Sequence, residues 1–256
     1  MGSPSTGESL IAAAGELAEK CGRLDFGLPV SQVYNPLIYA RKAHEVYLRR
    51  FGDGRKRVVF FGMNPGPWGM AQTGVPFGEV EMVRDWLGIE AHVGRPADAH
   101  PSKPVEGFSC TRSEVSGRRL WGLMRERFGA AERFFEAHFV ANYCPLLFLE
   151  GSGRNRTPDK LKAAEKAALF RLCDQHLRET IRLLEPRWAI GVGRFAEGRI
   201  RSALAAGPTR AAGGGPSTGG GPKVGGILHP SPASPRANRG WAAIASDQLK
   251  TLGVWR

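Results

Sequence analysis

The chain has 256 residues, enough for one large α/β domain with a well-buried core. Lys and Arg number 36 against 24 Asp and Glu, a formal charge of +12, with arginines spread along the whole length. That distributed basic surface suits a polyanion partner, of which nucleic acid is the commonest; the absence of any run of ~20 apolar residues excludes a helical membrane span.

Residues 1–25 read as a polar tail entering a helix from Glu8 to Lys20. Met1–Lys20 lacks a basic start followed by an apolar core, so no secretory signal is visible. Cys21, Cys110, Cys144 and Cys173 lie far apart with no C-x-x-C pair, which argues against a zinc ribbon or an iron–sulfur cluster. They read as reduced thiols of an intracellular protein, cytoplasmic if bacterial and nuclear if eukaryotic.

From Tyr39 to Arg50 the pattern is helical and basic. Four strand candidates follow: Arg57–Phe61, His138–Asn142, Trp188–Val192 and Val224–Leu228. Each is short, apolar and continuous, as strands buried on both faces are. Between the second and third, Thr157 is placed to N-cap a long helix with Pro158 at its first position. Leu161 to Leu184 carries apolar residues at helical spacing, and Pro186 ends it. Strands separated by helical stretches predict crossover connections and a mainly parallel sheet. Gly207 to Pro222 is mostly Gly, Pro, Ala, Ser and Thr, and reads as a mobile surface loop. No internal repeat and no dividing linker is found.

Two loops carry the chemistry. Val58-Val59-Phe60-Phe61 leads into Gly62-Met63-Asn64-Pro65-Gly66-Pro67-Trp68-Gly69-Met70 and on to Gly74-Val75-Pro76-Phe77-Gly78. Val224-Gly225-Gly226-Ile227-Leu228 leads into His229-Pro230-Ser231-Pro232 and on to Asn238-Arg239-Gly240-Trp241. In an open α/β sheet, loops at the carboxyl ends of strands converge on one crevice.

Taken alone, Asn64 is either a turn residue before a proline or a group that orients a water. An Asn is no strong base, so it suits a cationic transition state that needs a positioned nucleophile. His229 is either structural or a donor to charge developing on a leaving group. Phe77 is a core aromatic or a stacking platform for a base. Asn142 ends a strand candidate and is either a strand-end turn former or a recognition group, since its amide, one acceptor and two donors, can match the N3–H and O4 of uracil.

The strings GMNPGPWGMAQTGVPFGEV and HPSP…ANRGW resemble the single-strand-selective monofunctional uracil-DNA glycosylases, a branch of the uracil-DNA glycosylase superfamily. The resemblance covers roughly residues 25–256 and is weakest over 205–222. It implies a three-layer α/β fold with a central four-stranded, mainly parallel sheet flanked by helices. The chain then divides into a tail and helix, 1–24, and one catalytic domain, 25–256. The implied activity is DNA repair: a uracil is flipped into a pocket and its N-glycosidic bond hydrolysed, leaving an abasic site. Asn64 would orient the water and His229 would stabilise the uracil O2. Phe77 would stack on the base, Asn142 would read its edge, and backbone at Met63 and Gly66 would line the pocket. DNA, single- or double-stranded, is the implied partner of a monomer that needs no cofactor or metal.

The stricter uracil-only branch carries Asp-Pro-Tyr where this chain has Asn64-Pro65-Gly66, and that Tyr blocks substituents on uracil C5. Gly66 is expected to leave the space open, so 5-hydroxymethyluracil should fit. No lysine stands in either motif to form a Schiff base with the sugar, as a monofunctional enzyme requires. The family often has an Arg directly after HPSP, to fill the gap left by the flipped base; here Ala233 stands there, with Arg236 three residues on. The segment Ser231, Pro232, Ala233, Arg236 and Arg239 is the expected DNA contact. Arg236 is either its wedge or a phosphate ligand.

The competing reading is a non-catalytic nucleic-acid-binding domain. Other enzymes fit less well. No Gly-Lys-Ser/Thr follows a Gly-rich loop, and no His-x-Glu occurs at any of the 6 histidines, which disfavours P-loop and zinc-deaminase chemistry. The Gly-x-Ser-x-Gly string at Gly215 to Gly219 lies inside the low-complexity stretch, away from any strand-to-helix turn.

Overall fold

The computed structural model describes residues 4–207 and 221–256. Most of the Gly207–Pro222 stretch, read as a mobile loop, lies outside the described residues. Among the described residues the strands are β1 (Val30–Tyr34), β2 (Val58–Gly62), β3 (His138–Asn142), β4 (Leu147–Glu150), β5 (Asn155–Arg156), β6 (Trp188–Val192) and β7 (Lys223–Ile227). The α-helices are α1 (Thr6–Gly22), α2 (Pro36–Tyr39), α3 (Arg41–Phe51), α4 (Met70–Thr73), α5 (Val115–Phe128), α6 (Ala131–Phe135), α7 (Ala163–Leu184), α8 (Arg194–Ala205), α9 (Pro235–Asn238) and α10 (Trp241–Thr251).

The four expected strands form one all-parallel sheet in the order β3-β2-β6-β7. β2 and β6 are central and buried along their whole length, which is why their sequences show no polar alternation. The two faces separate by parity. Phe60 and His138 stack on Phe134 of α6, whereas Phe139 packs on Tyr47 of α3. Helices α1, α3, α7 and α8 form one outer layer, and α5, α6 and α10 the other. The fold is thus the three-layer α/β arrangement, with its core between sheet and helices.

Two elements differ from the sequence reading. A second, antiparallel sheet of order β1-β4-β5 adds to the domain. The long helix starts later than Thr157: residues Pro158–Lys160 form a separate 3-10 turn, and α7 begins after Lys162. Glu165 explains the start, because its carboxylate accepts the Lys162 N–H at 3.2 Å and satisfies a free helix donor. All four cysteines are free and buried.

Candidate active site

Parallel pairing puts the carboxyl ends of all four central strands along one edge. β2 and β3 end in register, Gly62 opposite Asn142. Pairing continues beyond them, with Tyr143 N–H donating to Gly62 O and Cys144 N–H to Met63 O, each at 2.9 Å. The ends of β6 and β7 are joined by Gly193 N–H on Ile227 O at 2.8 Å. Gly193 takes φ 96°, and a Cβ there would sit 3.1 Å from His229 Cβ, so the turn lets the imidazole lie close.

The side chains converge on Gly62. A Cβ at that position would lie 2.5 Å from Phe77 Cε2 and would overlap Asn142 Oδ1. The rings of Phe77 and His229 are 6.3 Å apart, tilted by 40°. Asn64 follows Gly62 by two residues. Loops more than 150 residues apart in sequence therefore meet as the motifs predicted.

Each group has a defined orientation. Asn64 Nδ2 donates to Leu146 O at 3.1 Å and Pro65 O at 3.3 Å. Both partners are carbonyls, so only the amide nitrogen can face them, and Oδ1 is the atom left to accept. His229 Nδ1 accepts the Ser231 N–H at 3.1 Å, which puts the ring proton on Nε2. Burial pushes the His229 pKa down to about 4. The ring is therefore a neutral Nε2–H donor at pH 7. Phe77 has φ 53°, a left-handed backbone that costs a non-glycine residue about 1–2 kcal/mol. Helix α5 holds it there: a Cβ at Gly117 would strike the Phe77 carbonyl. Asn142 Nδ2 donates to Met70 Sδ at 3.2 Å.

The Gly66 turn departs from the sequence reading. Gly66 O accepts the N–H groups of Gly69 and Ala71 at 3.3 and 3.2 Å. The direction in which a residue-66 side chain would project is filled by Glu114, whose Cδ lies 2.8 Å from an ideal Cβ. The room left by the missing side chain is thus occupied by a carboxyl group and not by solvent. Burial raises the Glu114 pKa, and its Oε2 is buried without a hydrogen-bond partner among the described residues.

The 231–239 segment stands at the rim. Pro232, Ala233, Arg236 and Arg239 are exposed, and Ser231 is half-buried. Ser234 Oγ caps α9 by accepting the Ala237 N–H at 3.3 Å. Arg236 lines a cleft with Gly226, Asp247 and Gln248, beside α10. Ala233 and Pro232 make the exposed tip.

Sequence reasoning missed four supporting residues. Gln72, fully buried, donates to Pro67 O and Pro104 O and accepts from Glu106 and Gly107 N–H, tying the Asn64 loop to the 104–107 segment. Trp68 is flanked by the Arg112 guanidinium at 4.3 Å and the Lys103 ammonium at 5.0 Å. Both lie inside the first motif and were open to question on that ground. Glu114 and Arg119 on α5 carry no sequence signal. Among the described residues, no group of three His, Cys, Asp or Glu side chains is placed to hold a metal ion, and no helix is long and apolar enough to cross a membrane.

A family model described as the Uracil DNA glycosylase superfamily matches residues 49–249, well over half the chain. The chain belongs to this superfamily. Within it, the chain is 46% identical over 250 residues to the single-strand selective monofunctional uracil DNA glycosylase of Bos taurus, covering 98% of this chain and 88% of the relative. The Rattus norvegicus protein of the same description is 47% identical, covering 98% and 86%. The family is therefore that of the single-strand-selective monofunctional enzymes. Among solved structures, wild-type Pedobacter heparinus SMUG2 superposes with a TM-score of 0.65 at 16% identity, over 94% of this chain and 97% of that one. That likeness shows a shared fold.

Proposed function

We propose that this protein is a monofunctional uracil-DNA glycosylase acting in DNA repair, with Asn64 and His229 as its catalytic residues. The observation that carries the reading is the tautomer of His229: neutral, with Nδ1 occupied by Ser231 N–H and Nε2–H without a partner among the described residues. A neutral donor suits stabilisation of an oxygen that gains charge only as the bond breaks.

In this mechanism the target nucleotide leaves the stack and its uracil lies against Phe77, with Asn142 reading N3–H and O4. The C1′–N1 bond breaks, its electron pair passes to the base, and His229 Nε2–H holds the charge at O2. Asn64 Oδ1 orients a water whose oxygen bonds to C1′; as the hemiacetal hydroxyl forms, the water's proton passes through solvent and the uracil anion takes one up to leave as neutral uracil. The Asn needs no basicity, because the sugar is already cationic. Met63 and Gly66 contribute backbone to the pocket wall. Phe77 and Asn142 serve the base; Ser231, Pro232, Ala233, Arg236 and Arg239 serve the DNA strand. The partner is DNA, the enzyme acts as a monomer without cofactor or metal, and its compartment is the cytoplasm of a bacterium or the nucleus of a eukaryote. C5-substituted uracils are included among the substrates.

The test is purified protein on a deoxyuridine oligonucleotide. An abasic site should form without added metal and in the presence of chelator, the strand staying intact until alkali is added. Binding without base release would favour the non-catalytic DNA-binding reading.

A further inference from the structure

Helix α5 reaches the His229 loop through Arg119. Arg119 Nη1 donates to Pro230 O at 3.0 Å and Ser231 O at 3.4 Å, and Nη2 donates to Asn238 Oδ1 at 2.8 Å. Asn238 Nδ2 in turn donates to Pro232 O at 2.9 Å. The carbonyls of Pro230, Ser231 and Pro232 are thus bonded by Arg119 or by the side chain it holds.

The segment needs such support. Pro230 and Pro232 have no N–H to donate, so the backbone there has few bonds of its own, chiefly the Ser234 N–H on Ser231 O at 3.1 Å. The N–H that remains between them belongs to Ser231, and it faces His229 Nδ1. Arg119 stands on a rigid mount: Leu120, Trp121, Leu123 and Met124 of α5 are all buried. Among the described residues it makes no ion pair with a carboxylate, so the guanidinium fork is committed to this loop.

We propose that Arg119 is a positioning residue for the glycosylase reaction: it fixes the Pro230–Pro232 backbone so that Ser231 N–H keeps the His229 proton on Nε2. Arg119 touches neither base nor sugar. This rests on the assignment of His229 to the leaving-group oxygen. Its spectroscopic arm holds whether or not that assignment does.

The test uses full-length Arg119→Ala, Arg119→Lys and Asn238→Ala. Single-turnover excision from a single-stranded deoxyuridine oligonucleotide, DNA affinity and ¹⁵N histidine spectra are measured, with His229 assigned by difference against His229→Gln. Arg119→Ala should slow the chemical step about 10–100-fold, the scale for removing an outer partner of a functional imidazole. DNA affinity should change far less. The His229 spectrum should move from pure Nε2–H tautomer to a mixture, with its titration shifted up from about 4. Arg119→Lys should recover only part, since one ammonium cannot span both carbonyls and Asn238. Asn238→Ala removes an exposed side chain and should shift His229 the same way by less, which keeps the test decisive should Arg119→Ala not fold. A wild-type His229 spectrum in a folded Arg119→Ala or in Asn238→Ala would overturn the proposal. So would a loss in Arg119→Ala that lower salt restores, which would make it a phosphate contact. Failure of wild type to release uracil would instead sink the glycosylase reading, leaving the spectra to judge Arg119.

Discussion

The Ser231 N–H lies 3.1 Å from His229 Nδ1, and this one bond sets how the imidazole behaves. Burial penalises the charged ring and drives its pKa down to about 4, so Nδ1 stays an acceptor for that N–H. The proposed chemistry should therefore show no histidine ionisation between about pH 5.5 and about pH 8, around the ordinary histidine pKa. Single-turnover excision across that range checks it. A break in the profile near 6.5 would mean that His229 titrates freely.

Acid stability follows from the same burial. His44, His138, His176 and His229 all have pKa values pushed down to about 4. Each stays neutral in the fold yet takes a proton at the ordinary value when unfolded. Above that ordinary value nothing is lost; as pH falls from about 6.5 toward 4 the unfolded state binds more protons and stability drops. Urea midpoints should decline steadily through that window. His138→Gln should flatten the decline, while a midpoint independent of pH there would show that these rings are hydrated in the fold.

The two catalytic assignments predict a loss in the chemical step and not in binding. Asn64→Ala removes the oriented acceptor and His229→Ala the donor, and each should lower the single-turnover rate about 10²–10³-fold, the worth of one pre-organised donor. DNA binding should change little. A variant with a wild-type chemical step removes that residue from the mechanism. Asn142→Ala should instead weaken discrimination among bases, because the pocket loses its match to the uracil edge.

The Gly66–Glu114 contact alters the expected role of the glycine. Any side chain at residue 66 meets the Glu114 carboxyl first. Gly66→Ala and Gly66→Tyr should therefore both impair excision of uracil and of 5-hydroxymethyluracil, since either side chain must displace Glu114. Adding Glu114→Ala should return part of the uracil activity to Gly66→Ala, since residues in contact couple rather than add. A double-mutant cycle on both bases reads this. Strict additivity would mean that the turn and the carboxyl are independent.

Much of this was legible in the chain because buried parallel strands leave continuous apolar runs. His138–Asn142 and Trp188–Val192 coincide with β3 and β6. β4 was hidden, because Leu147–Glu150 follows β3 after only a short apolar connection and reads as its continuation. β1 was missed because Val30–Tyr34 shows little apolar periodicity. Asn64 and His229 stood out because they follow strand ends inside unusual strings, Phe77 because it lies within the first string, and Asn142 because it ends a strand. Arg119 and Glu114 did not: they act on backbone and on a missing Cβ, across distances in sequence that no spacing rule connects.

Duplex opening is the remaining step. Extruding a base from a duplex costs a few kcal/mol of stacking and pairing, and less from a single strand. An inserted side chain is the usual means of offsetting that cost. Ala233 stands at the exposed tip but is too short to fill a vacated base site. Arg236 has the length, yet it stands at the start of α9, three residues after Ala233, and lines the cleft beside Asp247 and Gln248. A guanidinium placed there reaches a flanking phosphate more readily than the base stack, as most DNA contacts do. Arg236→Ala should therefore weaken uracil release from single-stranded and duplex oligonucleotides in parallel, and lower salt should restore both. On the proposed reading, duplex opening would then fall to the stiff Pro230–Pro235 segment, which Arg119 and Asn238 brace through Pro230 O and Pro232 O. A loss confined to duplex substrate, unchanged by salt, would give the wedge role to Arg236 after all.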